Sequence, residues 1–161
     1  MSATLVVAAL AFALCASGCI GTTPDDRTRE ALGPDMRHPG PEHRAGQPCL
    51  LCHSERGGDS PYFSVAGTVY DLDGVTGREG IQVILVDATG NERTEWTNSV
   101  GNFMVWADDW SPAFPLSADV TDGDNRIGMR SPISIDGSCS ACHTGALSAT
   151  SVGRVVVGAF P

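Results

Sequence analysis

Between positions 63 and 70 the chain reads Phe63-Ser64-Val65-Ala66-Gly67-Thr68-Val69-Tyr70, in which larger apolar residues alternate with small or polar ones. Successive side chains of a β-strand point to opposite faces of its sheet, so this period of two predicts a strand with one buried face. The stretch 71–80 that follows is rich in turn residues and is expected to end the strand. The chain is therefore predicted to be mainly β from this point on.

Further short strands are expected at regular intervals after the first one. They are predicted at 81–86, 94–98, 103–107, 114–120, 126–129 and 152–160. The segment 99–102 is expected to connect two of them as a hairpin. No helix longer than about two turns is expected between residues 63 and 132. The pattern predicts an antiparallel β-sandwich, and Trp96, Trp106 and Trp110 are expected in its core.

Two copies of one pentapeptide pattern flank the predicted strands. They are Cys49-Leu50-Leu51-Cys52-His53 and Cys139-Ser140-Ala141-Cys142-His143. Two thiols separated by two residues can add to the two vinyl groups of one haem, and the histidine that follows can then bind the iron. The pattern predicts two covalently attached c-type haems. Their thioether residues would be Cys49, Cys52, Cys139 and Cys142, and their proximal iron ligands would be His53 and His143.

Two other uses of paired cysteines match the sequence less well. A four-cysteine structural zinc site does not require a histidine after each pair, and its spacer is usually shorter than the one between Cys52 and Cys139. Redox chemistry of the thioredoxin kind expects a strand–helix–strand setting, which is not predicted here. Haem attachment is therefore the preferred interpretation of both motifs.

The ligands on the opposite side of each iron are less well defined. Two histidines lie outside the motifs, His38 and His43, and both precede Cys49. We expect His43, six residues before Cys49, to bind the first iron. The candidates for the second iron are Met129, whose thioether would raise the reduction potential relative to a second imidazole, and, more weakly, His38. An open position on one iron would instead permit ligand binding or catalysis.

The first 18 residues have the pattern of an export signal. Their apolar run, 5–14, is short for a transmembrane span and is followed by small residues. The stretch Leu14-Cys15-Ala16-Ser17-Gly18-Cys19 resembles a bacterial lipobox with Cys19 as the lipid-accepting residue. Residues 1–18 are therefore predicted to be a lipoprotein-type signal peptide. The protein is expected to be exported, in the periplasm or at the cell surface, and lipid-anchored to the outer membrane.

A flexible tether is predicted from residue 19 to residue 48, because Pro, Gly and charged residues dominate there. Its Thr23-Pro24-Asp25 sequence would allow a short helix around 25–32. The dihaem β-sandwich domain would then occupy residues 49–161. Of the six cysteines, Cys15 would leave with the signal and Cys19 would carry lipid, so the four in the motifs are all that remain.

Composition limits the choice of partners. The chain of 161 residues carries a formal net charge of −9, which argues against binding to nucleic acid. The same charge favours encounter with a basic face on another protein. The expected partners are therefore redox proteins with a basic docking face, together with the membrane that receives the lipid anchor.

The region from about 63 to 135 resembles the carboxypeptidase regulatory-like β-sandwich. The resembling residues are Val65-Ala66-Gly67-Thr68-Val69, Gly80-Ile81-Gln82-Val83 with Asp87 and Gly90, and Thr97-Asn98 with Gly101-Asn102-Phe103. Such modules occur as non-catalytic additions in many exported proteins, so this resemblance implies a fold and little about activity. With its two motifs, the whole chain looks like the small haem-bearing lipoproteins and multihaem cytochromes of bacterial envelopes.

This resemblance implies an electron carrier that transfers single electrons through two haems. A second hypothesis is a structural, binding or sensory envelope lipoprotein whose β-sandwich binds protein or polysaccharide. A small haem peroxidase or nitrite-type reductase is a third, and it needs an open iron position and a distal acid or base. The sequence leaves open whether the two haems lie edge to edge or at opposite ends of the sandwich.

Overall fold

The computed structural model describes residues 23–158. The chain divides into two compact units, Met1–Pro34 and Asp35–Pro161. The predicted signal peptide and Cys19 lie outside the described residues. None of the helices within residues 23–158 is both long enough and apolar enough to cross a membrane.

The first unit contributes one described helix, α1, at Pro24–Leu32. Thr23 and Asp26 form a capping box at its start: the Thr23 hydroxyl accepts the Asp26 amide at 3.1 Å, and the Asp26 carboxylate accepts the Thr23 amide at 2.9 Å. Pro24 occupies the first turn, where its missing N–H costs nothing. The short helix predicted from the Thr23-Pro24-Asp25 start is therefore confirmed.

The second unit is mainly β within the described residues, as predicted. Its strands are β1 Phe63–Tyr70, β2 Gln82–Val86, β3 Glu92–Trp96, β4 Asn102–Trp106, β5 Ser117–Thr121, β6 Arg126–Gly128 and β7 Val155–Val156. The two motifs supply its helical turns, a 3-10 turn at Cys49–Leu51 and the one-turn helix α2 at Cys139–Cys142. No helix occurs between residues 63 and 132, all of which are described.

The strands form two sheets, with the orders β4-β1-β7 and β3-β2-β5-β6. All neighbours are antiparallel except β1 and β7, which run parallel. The expectation of a purely antiparallel sandwich is therefore wrong for the three-stranded sheet. Parallel neighbours need a long crossover between them, and the chain from β2 to α2 provides it.

The predicted hairpin at 99–102 is also wrong, because the two strands beside it belong to different sheets. β3 pairs with β2, whereas β4 pairs with β1. The buried Thr97 holds this crossing in place: its hydroxyl accepts the Ile81 amide at 2.9 Å and donates to the Arg78 carbonyl at 2.6 Å. The turn residues at 99–102 are compatible both with a hairpin within one sheet and with a crossing between the two sheets. The side-chain hydrogen bonds of Thr97 favour the crossing.

The hydrophobic core lies between the two sheets, as in a β-sandwich. It is formed by Val65, Val69, Ile81, Val83, Leu85, Phe103, Val105, Leu116, Val120 and Val157. Burial of each such side chain contributes about 1.5–3 kcal/mol of transfer free energy. Trp110 packs against this core, but Trp96 and Trp106 are 63% and 47% exposed. The expectation of a core position is therefore wrong for these two tryptophans.

Strand β1 is buried from Val65 to Tyr70, and residues 41–47 cover the part of it around Thr68 and Tyr70 on the face that points away from the core. The Thr68 hydroxyl accepts the Gly46 amide at 2.7 Å and donates to the Asn102 side-chain carbonyl at 2.7 Å. The Asn102 amide group in turn donates to the main-chain carbonyls of Pro41 and His43 at 3.2 and 3.0 Å. This part of the region predicted as a tether is therefore bound to the three-stranded sheet.

Candidate functional site

The two cysteine motifs adopt the same local structure. In each, the histidine amide donates to the carbonyl of the first cysteine: His53 to Cys49 and His143 to Cys139, both at 2.9 Å. Each is thus a single helical turn, in which side chains three positions apart lie on the same face. The two thiols of a motif can therefore reach one flat ring, and the histidine follows directly behind them.

The first thiol of each motif has an equivalent hydrogen bond as well. The Cys49 thiol donates to the Gln47 carbonyl at 3.5 Å, and the Cys139 thiol donates to the Gly137 carbonyl at 3.8 Å. Both acceptors are two residues upstream of their cysteine. Two segments far apart in sequence thus present their cysteines in the same way.

Both motifs lie against β1 rather than at opposite ends of the domain. On the side of the first motif, the Phe63 amide donates to the His53 carbonyl at 2.9 Å. The second motif is also bonded to β1, because the Ala66 amide donates to the Gly137 carbonyl at 3.0 Å and Ala66 pairs with Ser138.

Gly67 makes this approach possible. A Cβ added at Gly67 would lie 2.7 Å from the Cβ of Cys139 and 3.0 Å from the Phe103 ring. Any larger residue would push α2 away from the sheet, since real Cβ atoms do not approach that closely. The contact fixes the start of the second motif directly on β1.

The first thiol of each motif is strongly protonated in the folded chain. Burial raises the pKa of the Cys49 thiol to about 11. Burial, and then the charge that Cys49 would carry as a thiolate, raises the pKa of Cys139 to about 12. The thiolate is the reactive form of cysteine, so these two thiols are less reactive in the folded chain than an exposed cysteine would be.

The histidines of the two motifs, His53 and His143, have the same kind of hydrogen-bond partner. The Nδ1 atom of His53 lies 3.0 Å from the Asp59 carbonyl and 3.0 Å from the Pro61 carbonyl, and Nδ1 of His143 lies 2.8 Å from the Gly153 carbonyl. A carbonyl can only accept, so Nδ1 carries the proton and the Nε2 lone pair of the neutral ring is free. Metal-binding histidines show this same outer hydrogen bond.

His43 lies beside His53, the histidine of the first motif. The ring centroids of His43 and His53 are 5.6 Å apart, with an angle of 31° between the planes. Two imidazoles on opposite sides of one metal ion, with metal–nitrogen bonds of about 2 Å, have ring centres on the order of 6 Å apart. In this structure the Gly40 amide donates to His43 Nδ1 at 3.3 Å, a long bond that must be released for Nε2 of the neutral ring to bind iron.

The other two distal candidates lie elsewhere in the described structure. His38 is exposed on the segment that precedes residues 41–47. Met129 directly follows β6, the edge strand of the four-stranded sheet, and is 39% exposed, while its amide donates to the Ala118 carbonyl at 2.9 Å. The second motif, by contrast, lies on β1 of the three-stranded sheet. A methionine ligand for the second iron therefore remains a prediction from the sequence.

The donor set of the motifs suits a haem. A c-type haem needs two thiols and one or two axial ligands from the protein, and each motif offers the first three of these. The side chain of Ser138, next to Cys139, is buried, and its hydroxyl has no hydrogen-bond partner within the described residues. A bound group with polar substituents would give it one. A four-cysteine zinc site requires several metal-binding side chains to converge on one point. Within residues 23–158 no group of three or more His, Cys, Asp or Glu side chains is arranged in this way.

Two aromatic residues beside the first motif are absent from the sequence predictions for the site. The rings of His53 and Phe63 lie 4.9 Å apart, and those of Phe63 and Trp106 meet edge to face at 5.7 Å. A β-bulge between Phe63 and Val65 places Phe63 opposite Trp106. Without the bulge, Phe63 and Val65 would share the core face, so the alternating pattern could not reveal this contact.

Comparison with protein-family models, with curated proteins and with solved structures finds no match for this chain. The resemblance to the carboxypeptidase regulatory-like β-sandwich therefore remains a prediction. The case for any function consequently depends on the geometry of the two motifs.

Proposed function

We propose that this protein is a dihaem c-type cytochrome that carries single electrons in the bacterial cell envelope. The observation that carries the proposal is the equivalence of the two motifs. Each is a helical turn closed by its own histidine, and each histidine donates Nδ1–H to a carbonyl, which leaves Nε2 for iron. A structural role for either histidine would not require this shared arrangement.

The residues of the chain divide the work of holding the cofactors. Cys49 and Cys52 would carry the first haem, and Cys139 and Cys142 the second. When bound, each haem supplies an iron that alternates between the ferric and ferrous states. His53 and His143 would be the proximal ligands, and their carbonyl partners hold the two rings in place. Those hydrogen bonds would increase ligand basicity and so lower the reduction potential. His43 would complete the first iron, and Met129 or His38 the second.

The position of both motifs on β1 supports electron exchange between the haems. Cys139 packs on Gly67, and the segment that leads to Cys49 is bonded to the neighbouring Thr68 through Gly46. Two haems attached at these points would be close neighbours. We propose that they act as one pair, which can store two electrons and release them one at a time.

The cellular setting proposed from the sequence agrees with this role. An export signal in residues 1–18 and lipidation at Cys19 would anchor the protein to the outer membrane, facing the periplasm or the cell surface. The net charge of −9 favours redox partners with a basic face. We also propose that the two-sheet domain is a carboxypeptidase regulatory-like module that serves as a scaffold for the haems.

Expression with the c-type maturation machinery tests this proposal. The protein should carry two covalent haems by mass spectrometry and by the pyridine haemochrome spectrum. The paired variants Cys49→Ser/Cys52→Ser and Cys139→Ser/Cys142→Ser should each retain one haem, and each serves as the control for the other.

Purified protein without covalent haem would refute the proposal. Low-spin spectra at both haems would support an electron carrier. A high-spin haem that binds carbon monoxide or cyanide would instead favour the sensory or catalytic alternatives, because these need an open iron position.

A further inference from the structure

A continuous set of ring contacts leads from the first proximal histidine to the protein surface. His53 contacts Phe63 at 4.9 Å, and Phe63 meets Trp106 edge to face at 5.7 Å between centroids. Trp106 is 47% exposed. The contacts thus end at an indole ring that solvent, or another protein, can reach.

The exposure of Trp106 is produced by the backbone. Its neighbour Val105 is fully buried in the core, so Trp106 points to the opposite face of β4. The bulge in β1 turns Phe63 to that same face, and the pair forms there. Bulges commonly redirect a side chain next to a functional site. Tryptophan is enriched in protein interfaces, where its large apolar ring and single N–H can both be used.

The turn that follows Trp106 carries negative charge. Asp108 and Asp109 are both exposed, and the Asp109 amide donates to the Trp106 carbonyl at 3.1 Å, which keeps the turn close to the indole. Asp109 forms an ion pair with Arg93 at 3.9 Å, and Arg93 also pairs with Glu95 at 2.7 Å. This one arginine is thus shared between two carboxylates, and the neighbouring Asp108 adds a third acidic group.

We propose that Trp106, Asp108 and Asp109 form the docking surface for a one-electron redox protein with a lysine- or arginine-rich face. The inference rests on the proposed dihaem function and adds the place at which the partner binds. A basic side chain can stack on the indole while its neighbours meet the two carboxylates. In the exchange, one electron leaves the reduced centre of the partner and converts the ferric first haem to the ferrous state. No bond is made or broken.

Stopped-flow kinetics with a lysine-rich, reduced cytochrome c as the probe tests the proposal. At low ionic strength, Trp106→Ser should lower the second-order rate constant with the fully oxidised protein by about 10-fold. Asp108→Asn/Asp109→Asn should lower it several-fold and weaken its dependence on salt. Trp96→Ser is the matched control, because Trp96 is also an exposed strand tryptophan but lies in the other sheet. Trp106→Phe should recover much of the rate by restoring a ring against Phe63.

Equal rates for Trp106→Ser and Trp96→Ser, in proteins that both retain the wild-type haem spectrum, would overturn the docking proposal. If Trp106→Ser loses that spectrum, the rates of Trp106→Phe and of Asp108→Asn/Asp109→Asn are compared with the wild type instead. Unchanged rates in both variants would also overturn the docking proposal. Failure of the underlying function is distinguished before any rate is measured, because the wild-type protein would then contain no covalent haem.

Discussion

The imidazole rings of His43 and His53 lie next to each other, with their centroids 5.6 Å apart, although the two residues stand on opposite sides of the first cysteine pair in sequence. The sheet holds them there. Asn102 of β4 binds the His43 carbonyl at 3.0 Å, and the first residue of β1, Phe63, binds the His53 carbonyl at 2.9 Å. The neighbouring strands β1 and β4 thus position a histidine from the supposed tether beside a histidine of the motif.

Replacement of His43 should change the spin state of the first haem. His43→Ala removes the imidazole beside His53, and the iron should pass from low spin to high spin at that haem alone. Electron paramagnetic resonance and the absorption spectrum measure this change. His38→Ala is the matched control, because His38 is exposed and should leave the first haem low-spin. An unaltered low-spin signal in His43→Ala would exclude this residue as the distal ligand.

Thr68→Val should weaken the attachment of residues 41–47 to the sheet. The substitution preserves shape but leaves the Gly46 amide and the Asn102 side-chain carbonyl without their shared hydroxyl. An unsatisfied buried group costs about 1–3 kcal/mol, so the free energy of unfolding in urea should fall by that amount. Thr94→Val, a half-buried change on β3, provides the control. If Thr68→Val also raises the high-spin fraction of the first haem, the sheet positions His43; equal stability of the two variants would contradict the prediction.

The two haems should influence each other's reduction potential. Because both motifs lie on β1, reduction of one iron places a charge close to the other and makes its reduction harder. A potentiometric titration of the wild type should therefore give two separated waves. In the paired variant Cys139→Ser/Cys142→Ser, the remaining first haem should show a single wave at a changed potential. A single-haem potential identical to one of the wild-type waves would indicate independent haems.

Asp87 should make the stability of the domain sensitive to acid. Its burial raises the pKa of the carboxyl, but hydrogen bonds from Thr89, Asn91 and Ala113 outweigh this and hold the pKa well below its usual range. A carboxyl with a lowered folded pKa stabilises the fold above its unfolded pKa of about 4. That contribution is lost progressively as the pH falls through about 4 and on towards the folded pKa.

Asp87→Asn tests this linkage. The variant should be less stable than the wild type at pH 7, and its stability should depend less on pH between about 5 and 2, measured by thermal unfolding monitored by circular dichroism. Asp124→Asn, at an exposed turn, should leave both quantities nearly unchanged. If the stability of the wild type and of Asp87→Asn falls with pH at the same slope, the acid sensitivity does not come from Asp87.

The strand pattern was largely readable from the sequence because it is local. Alternation at 63–70 predicts β1 with its observed bounds, since the side chains of neighbouring residues in a strand point to opposite faces whatever the strand pairs with. The pairing itself was not readable. The turn residues around Thr97 allow either a hairpin or a crossing between sheets, and the hydrogen bonds from Thr97 to residues far back in the chain select the crossing.

The candidate site was also only partly predictable from the sequence. The chemistry of each motif lies within five consecutive residues, so cysteine spacing and the adjoining histidine predict the cofactor and one ligand from the sequence alone. The environment of that ligand does not follow from spacing. The carbonyl partner of His143 is Gly153, ten residues further on, and the ring beside His53 belongs to a segment that resembles a tether.

That both motifs lie against the same strand was decided only by the tertiary structure. They are separated by the whole sandwich in sequence, and spacing alone is compatible with haems at opposite ends. The contact of Cys139 with Gly67, and the bond from Gly46 to Thr68, bring both to adjacent residues of β1. Local patterns specify which atoms could hold a haem, because that chemistry needs only near neighbours. Long-range packing specifies that both motifs lie against one strand and that Trp96 and Trp106 face solvent, because those positions depend on how distant strands pair.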